Sequence, residues 1–278
     1  QVLRETAYAA GHYAEALAEL RAAKERSARR ARGARRSYEA AHLNRLTADW
    51  TVTGTGAREA SAAADEQVVI GLVHHLLKRE PLKAREHFDK ALQIWQSLGD
   101  RPGEAESLNN IARVYESSGE RERALDYYKR SLQPWVDARD RYGEAWTLFN
   151  MGRVYSFLKD STKALDHFQR ALKLWQDLGD HSREAATLNG IGDTYFSIND
   201  YQNALSTYRR ARAQWQAAGD LNGERSTLYA ISRTYAVLQD KTKEEEYKQL
   251  ADALSLKIQQ IRPTPEAQAK SDKVRLAE

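Results

Sequence analysis

Apolar residues recur along this chain with two nested periods. Within a segment they fall three or four residues apart, as on one face of an α-helix; Leu108, Ile111 and Tyr115 are an example. Between segments the whole pattern returns every 40 residues. Residues 101–140, 141–180 (RYGEAWTLFNMGRVYSFLKDSTKALDHFQRALKLWQDLGD) and 181–220 align without a gap. Leu148, Met151 and Tyr155 repeat the first stripe, followed by Leu188, Ile191 and Tyr195, then by Leu228, Ile231 and Tyr235. Each interval holds two amphipathic segments, so it predicts a pair of helices. A pair of this size cannot bury its apolar face alone and must stack on its neighbours. The predicted class is all-α.

Polar and small residues place the joints. Asp100, Asp140, Asp180 and Asp220 precede the first helix of each pair, where a carboxylate accepts from a free backbone amide. Glu80, Glu120, Asp160, Asp200 and Asp240 stand at the turn inside each pair, and Pro81 follows at a first helical position. Ala112, Gly152, Gly192 and Ser232 mark where the two helices of a pair approach closely. Five repeats are expected in register over residues 61–260. Glu244, Glu245 and Lys248 give the last helix one solvated face, as the end of a stack requires. Residues 1–60 read as degenerate repeat-like helices carrying an Arg-rich segment, with a break at residues 51–56 (TVTGTG). Residues 261–278, with two prolines and many charges, read as a linker or disordered tail.

The motif Leu–x2–Ile–Gly/Ala–x2–Tyr, then Ala, an aromatic residue and Ala, resembles the tetratricopeptide pattern. The 40-residue interval and the phrases KALDHFQRALKLWQDLGD and GEA..LNNIARVY are similar to the long repeats of bacterial caspase-like (CHAT) peptidase proteins. They also resemble those of Leu-Gly-Asn repeat adaptors and bacterial peptide-sensing regulators. The resemblance implies a right-handed superhelix, an α-solenoid of antiparallel helix pairs, with a concave groove lined by first helices. It implies a non-enzymatic protein–protein interaction module that holds a peptide or partner segment there.

The candidate contact residues lie between the core positions of the first helices. They are Asn109, Asn110 and Arg113; Asn150 and Arg153; Asn189 and Asp193; and Tyr229 and Arg233. An Asn amide can donate to and accept from a peptide backbone, and Arg forks onto carboxylates, which favours an acidic partner. Asp193 interrupts that basic row. Trp146 and Phe149 break the repeat on the same helix and could form an apolar pocket there or pack against a neighbouring helix. The column Trp95, Trp135, Trp175 and Trp215 follows helical spacing and reads as core.

Composition narrows the rest. Cysteine is absent, which removes disulfides and thiolate metal sites. The seven histidines are scattered, with no HExxH, P-loop or GxSxG, so no catalytic residue, metal or cofactor is expected. No run of 18 apolar residues spans a membrane. With no secretory signal either, a cytoplasmic location is expected. Net charge is +4, and residues 21–36 (RAAKERSARRARGARR) carry the excess of Arg and Lys. That segment lacks interleaved aromatics, so nucleic acid binding is a rival but unfavoured reading. A further rival is the sensor or regulatory arm of a larger protein such as a CHAT-type peptidase; the start at Gln1 would suit a trimmed or processed chain.

Overall fold

The computed structural model describes residues 56–261; the expectations for residues 1–55 and 262–278 lie outside them. The described residues form ten α-helices and no strand. These are α1 (Gly56–Val73), α2 (Pro81–Leu98), α3 (Arg101–Ser117), α4 (Arg121–Asp137), α5 (Arg141–Phe157) and α6 (Ser161–Leu178), then α7 (His181–Ser197), α8 (Tyr201–Ala218), α9 (Leu221–Val237) and α10 (Lys241–Ile261). Residues 74–80 join α1 to α2, and from α2 onwards turns of two or three residues join consecutive helices, so each pair folds back as an antiparallel hairpin. None of these helices is long and apolar enough to cross a membrane. The chain divides into an N-terminal body ending at Gly179 and a C-terminal body starting at Asp180.

Local chemistry sets the boundaries. Asp100 and Asp140 in the N-terminal body accept from the amides of Gly103 and Gly143, both at 2.8 Å. Asp180 and Asp220 in the C-terminal body accept likewise from Arg183 and Gly223. Inside the pairs, Asp160, Asp200 and Asp240 cap with their side chains. Glu80 and Glu120 do not. The extra methylene carries the Glu carboxylate past the amide, and these two bind Lys83 and Arg123 instead.

The core of each body is a repeated jigsaw. Gly152 of α5 lies against Phe168 of α6, and an added Cβ would sit 2.7 Å from the ring. Gly192 and Tyr208 repeat the contact in the C-terminal body, at 2.5 Å. The tryptophans seal the joints between repeats. Trp95 covers Gly103, Trp135 covers Gly143, and Trp215 covers Gly223, each so closely that a Cβ would stand 2.3–2.4 Å from the indole. These three indoles are buried.

One departure from the expected register stands out in α1. Gly71, not Leu72, lies under Phe88. His74 stacks on His87 with centroids 5.4 Å apart. In the next repeat Tyr115 stacks on Tyr127. Counting back 40 residues from Tyr115 gives His75, so α1 is displaced by one residue. The displacement is absorbed in a π-turn, His74–Lys78, followed by Arg79 in the left-handed region at φ 54°. A π-turn accommodates one added residue by lengthening its hydrogen-bonded ring. Sequence alignment at a fixed interval hides this insertion, because α2 is back in register.

Candidate partner-binding face

The predicted row separates into residues that hold the stack together and residues with capacity left over. Asn109 is a structural bridge. It is 1% exposed; its Nδ2 donates to Thr147 Oγ1 at 2.8 Å, and its Oδ1 accepts from Ser131 Oγ at 2.8 Å. One amide thereby ties together α3, α4 and α5. Asn189 repeats the device in the C-terminal body, donating to Thr227 Oγ1 at 2.9 Å. The assignment of Asn109 and Asn189 to ligand contact is therefore corrected: both polar ends of each amide are engaged by neighbouring helices of the stack.

Asn110 and Asn150 differ from them. They are 3% and 2% exposed, and neither Nδ2 has a hydrogen-bond partner. Their oxygens accept long bonds from Arg113 at 3.4 Å and Arg153 at 3.5 Å. The two amides sit at the same point of consecutive first helices, with the same half unused. Arg153 also reaches Glu116 at 3.1 Å, with its side chain 43% exposed.

Glu116 accepts in turn from the hydroxyl of Tyr128 at 3.0 Å. Burial, and then the Glu116 charge, push the Tyr128 phenol well above its ordinary range, so it remains a donor. The C-terminal body carries the same trio with the carboxylate one turn earlier. Tyr208 donates to Asp193 at 2.7 Å, and Arg233 lies 3.3 Å from that carboxylate. Burial likewise raises the Tyr208 phenol. The acidic residue that interrupts the basic row is thus the counter-ion of the next arginine. Arg233 also covers the ring of Phe196 at 4.3 Å. Tyr229 is exposed and donates to Asp252 of α10 at 2.6 Å.

Trp146 and Phe149 stack with centroids 5.8 Å apart, and Phe149 leans on Phe168 at 5.8 Å. Both are partly buried against the cluster of Ala145, Leu148, Ala171 and Trp175. They form a partly buried aromatic pair on α5, the helix that also carries Asn150. Among the described residues no group of three or more His, Asp or Glu side chains is placed to hold a metal ion.

Sequence reasoning missed Ser131, Thr147, Glu116 and the hydroxyls of Tyr128 and Tyr208. A signal was present. The aromatic of the second helix is Tyr at 128 and 208 but Phe at 88 and 168. Tyr occurs where the preceding first helix supplies Glu116 or Asp193 as acceptor. Phe occurs where α5 offers Arg153 and Ser156 instead.

A profile of the tetratricopeptide repeat family matches residues 62–133 and 143–217, more than half of the chain. Comparison with curated proteins finds no match. Among solved structures, the chain is similar to BtubC (BKLC) from P. vanneervenii, with 19% identity and a TM-score of 0.57 over 76% of this chain and 96% of that one. It is similar to aspartyl phosphate phosphatase F from Bacillus subtilis, with 19% identity and a TM-score of 0.66. That match covers 80% of this chain and 56% of the phosphatase. A Rap protein complexed with competence and sporulation factor is 14% identical with a TM-score of 0.59, over 92% of this chain and 78% of that one. At these identities the likeness is one of fold. Helix pairs at a 40-residue interval, small residues under aromatic rings and Asp-capped joints agree with the profile: the chain belongs to the tetratricopeptide repeat family.

Proposed function

We propose that this chain is a protein–protein interaction module and that the first-helix face of its N-terminal body takes an extended segment of a partner protein. The observation that carries the reading is the pair of buried amide nitrogens on Asn110 and Asn150, neither of which has a partner. A buried donor left unpaired costs about 1–3 kcal/mol. Two such donors at matching positions of successive helices make sense when a ligand brings the acceptors. The solved Rap complex supports the reading by analogy of fold, since that protein is bound to a factor.

An acidic partner is not favoured at Arg153 or Arg233, because Glu116 and Asp193 already neutralise them. A second reading, the regulatory arm of a longer protein, is favoured by the phosphatase match, where the likeness covers 56% of the other chain.

The test is selection of a random dodecapeptide display library on the full chain, with counter-selection on the Asn110→Ala/Asn150→Ala variant. Clones that bind the first and not the second support the reading. Enrichment that is indifferent to the substitution, with the variant folded by circular dichroism, refutes it.

A further inference from the structure

The hairpin of α1 and α2 is closed at its turn by two imidazoles. His74 of the π-turn and His87 of α2 stack with their planes 3° apart and their centroids 5.4 Å apart. The next hairpin, α3 and α4, closes on two phenols instead, Tyr115 and Tyr127, at 5.3 Å. Of these two closures, the first is built from the side chain whose ordinary charge change falls between pH 5 and 8.

Hydrogen bonds fix where a proton is added. His74 Nδ1 lies 2.6 Å from Glu80 Oε2, and a carboxylate only accepts, so Nδ1 carries the hydrogen. His87 Nδ1 lies 2.8 Å from Gln67 Oε1 of α1, again an acceptor. On each ring Nε2 is therefore the site of protonation. The surroundings of the two rings differ. An imidazolium at His74 faces the Glu80 carboxylate, which Lys83 shares at 3.0 Å. An imidazolium at His87 faces the neutral Gln67 amide; Lys90 and His74 oppose its charge and Glu86 favours it. On the other side of α2, α3 turns Tyr115 to Arg85, whose guanidinium donates to the phenol at 3.0 Å. Two stacked cations 5.4 Å apart repel, so the closed hairpin resists charging of the second ring.

Opening the hairpin separates the rings and returns them to water. Burial first, then Lys90 and His74, hold His87 below the ordinary imidazole range while the hairpin is closed. The open form binds protons more readily, so acid favours it. With an ordinary value near 6.5, one deferred proton multiplies the opening equilibrium by up to about tenfold at pH 5.5. The nearby carboxyls do not act in this direction. Burial holds Glu66 of α1 and Asp89 of α2 above the carboxylate range, which favours the closed form as pH falls. Glu80 and Glu86, held below that range by Lys83 and Lys90, stay charged throughout.

We propose that the His74–His87 stack is a pH-sensitive clasp: acidification from pH 7.5 to 5.5 charges the pair and lets α1 and its turn part from α2, while the hairpin of α3 and α4 stays closed.

The test is hydrogen–deuterium exchange of the full chain at pH 7.5 and 5.5, read by mass spectrometry. No ligand enters it, so it is independent of the partner-binding reading. Protection of peptides from α1 and α2 is divided by that of peptides from α3 and α4 in the same sample, after correction for intrinsic rates. The α3–α4 hairpin contains no histidine and serves as the internal reference. The ratio is expected to fall about three- to tenfold on acidification. In His87→Tyr, which places in α2 the phenol used by the next hairpin, the fall should stay below about threefold. A fall below about threefold in the native chain overturns the inference. So does a larger fall that survives in His87→Tyr, because it would belong to His75, the next residue of the turn, or to another group. If that variant does not fold, His87→Gln takes its place; if neither folds, the ratio in the native chain decides alone.

Discussion

Asn109 and Asn110 are neighbours in sequence, both buried, and should differ sharply when truncated. Asn109→Ala removes the 2.8 Å bond to Thr147 and the acceptor for Ser131 at 2.8 Å. Two neutral hydrogen bonds contribute about 2 kcal/mol, and the void left by the amide adds roughly 1 kcal/mol. No further desolvation penalty arises. Ser131 keeps the Tyr128 carbonyl at 2.8 Å, and Thr147 keeps the Gly143 carbonyl at 2.9 Å. The expected loss is about 3 kcal/mol, a melting point lower by roughly 6–12 °C for a body of this size. Asn110→Ala removes one long bond at 3.4 Å and also a donor that has no partner. The lost bond and a void of about 1 kcal/mol are offset by release of the unpaired donor, about 1–3 kcal/mol, so its change should stay within about 1 kcal/mol. Urea titration of both variants, followed by far-ultraviolet circular dichroism, measures the contrast. Equal destabilisation by the two substitutions, or a larger loss for Asn110→Ala, would refute the division between bridging and unused amides.

Gly143→Ala should cost about 1–3 kcal/mol by overpacking, because its Cβ would stand 2.4 Å from the Trp135 ring; a thermal melt showing no loss would mean the indole moves freely. His87 is held below the ordinary imidazole range by burial first, then by Lys90 and His74, with Glu86 opposing. Its unfolded form binds protons more readily, so its contribution is full above about pH 6.5 and declines as pH falls towards the depressed folded value. Melts at pH 7.5 and 5.5 should therefore differ less in His87→Gln than in the native chain. Burial raises the Asp220 carboxyl despite its bonds to the amides of Gly223 and Asn222. That ionised cap weakens the C-terminal body as pH rises from the ordinary Asp range through the raised value. Asp220→Asn keeps the capping geometry and should equal or exceed native stability at pH 7 by urea titration, whereas a clear loss would contradict the raised value.

Repetition made the helical class and the caps legible in the sequence. A period that recurs without gaps averages out local exceptions, so Leu108, Leu148, Leu188 and Leu228 reveal the same buried face. The site was less legible for the same reason. Periodicity says which residues share a row but not which neighbour each will bond. Asn109 and Asn110 look interchangeable as letters, yet they lie ~100° apart around the helix, and that rotation sends Asn109 into the joint with Thr147. Asp193 looked like an exception until its partner Arg233, 40 residues on, was placed beside it. The one-residue displacement of α1 was invisible because the chain regains register before Phe88.

That displacement shows how such an array survives a change in length. The surplus residue is quarantined in the turn from His74 to Lys78, while Phe88 still closes over a glycine as Phe168 does. Errors of spacing are thus healed locally and do not propagate down the stack. A lineage of such proteins can gain or lose single residues at these bends, reshaping one face without dismantling the rest.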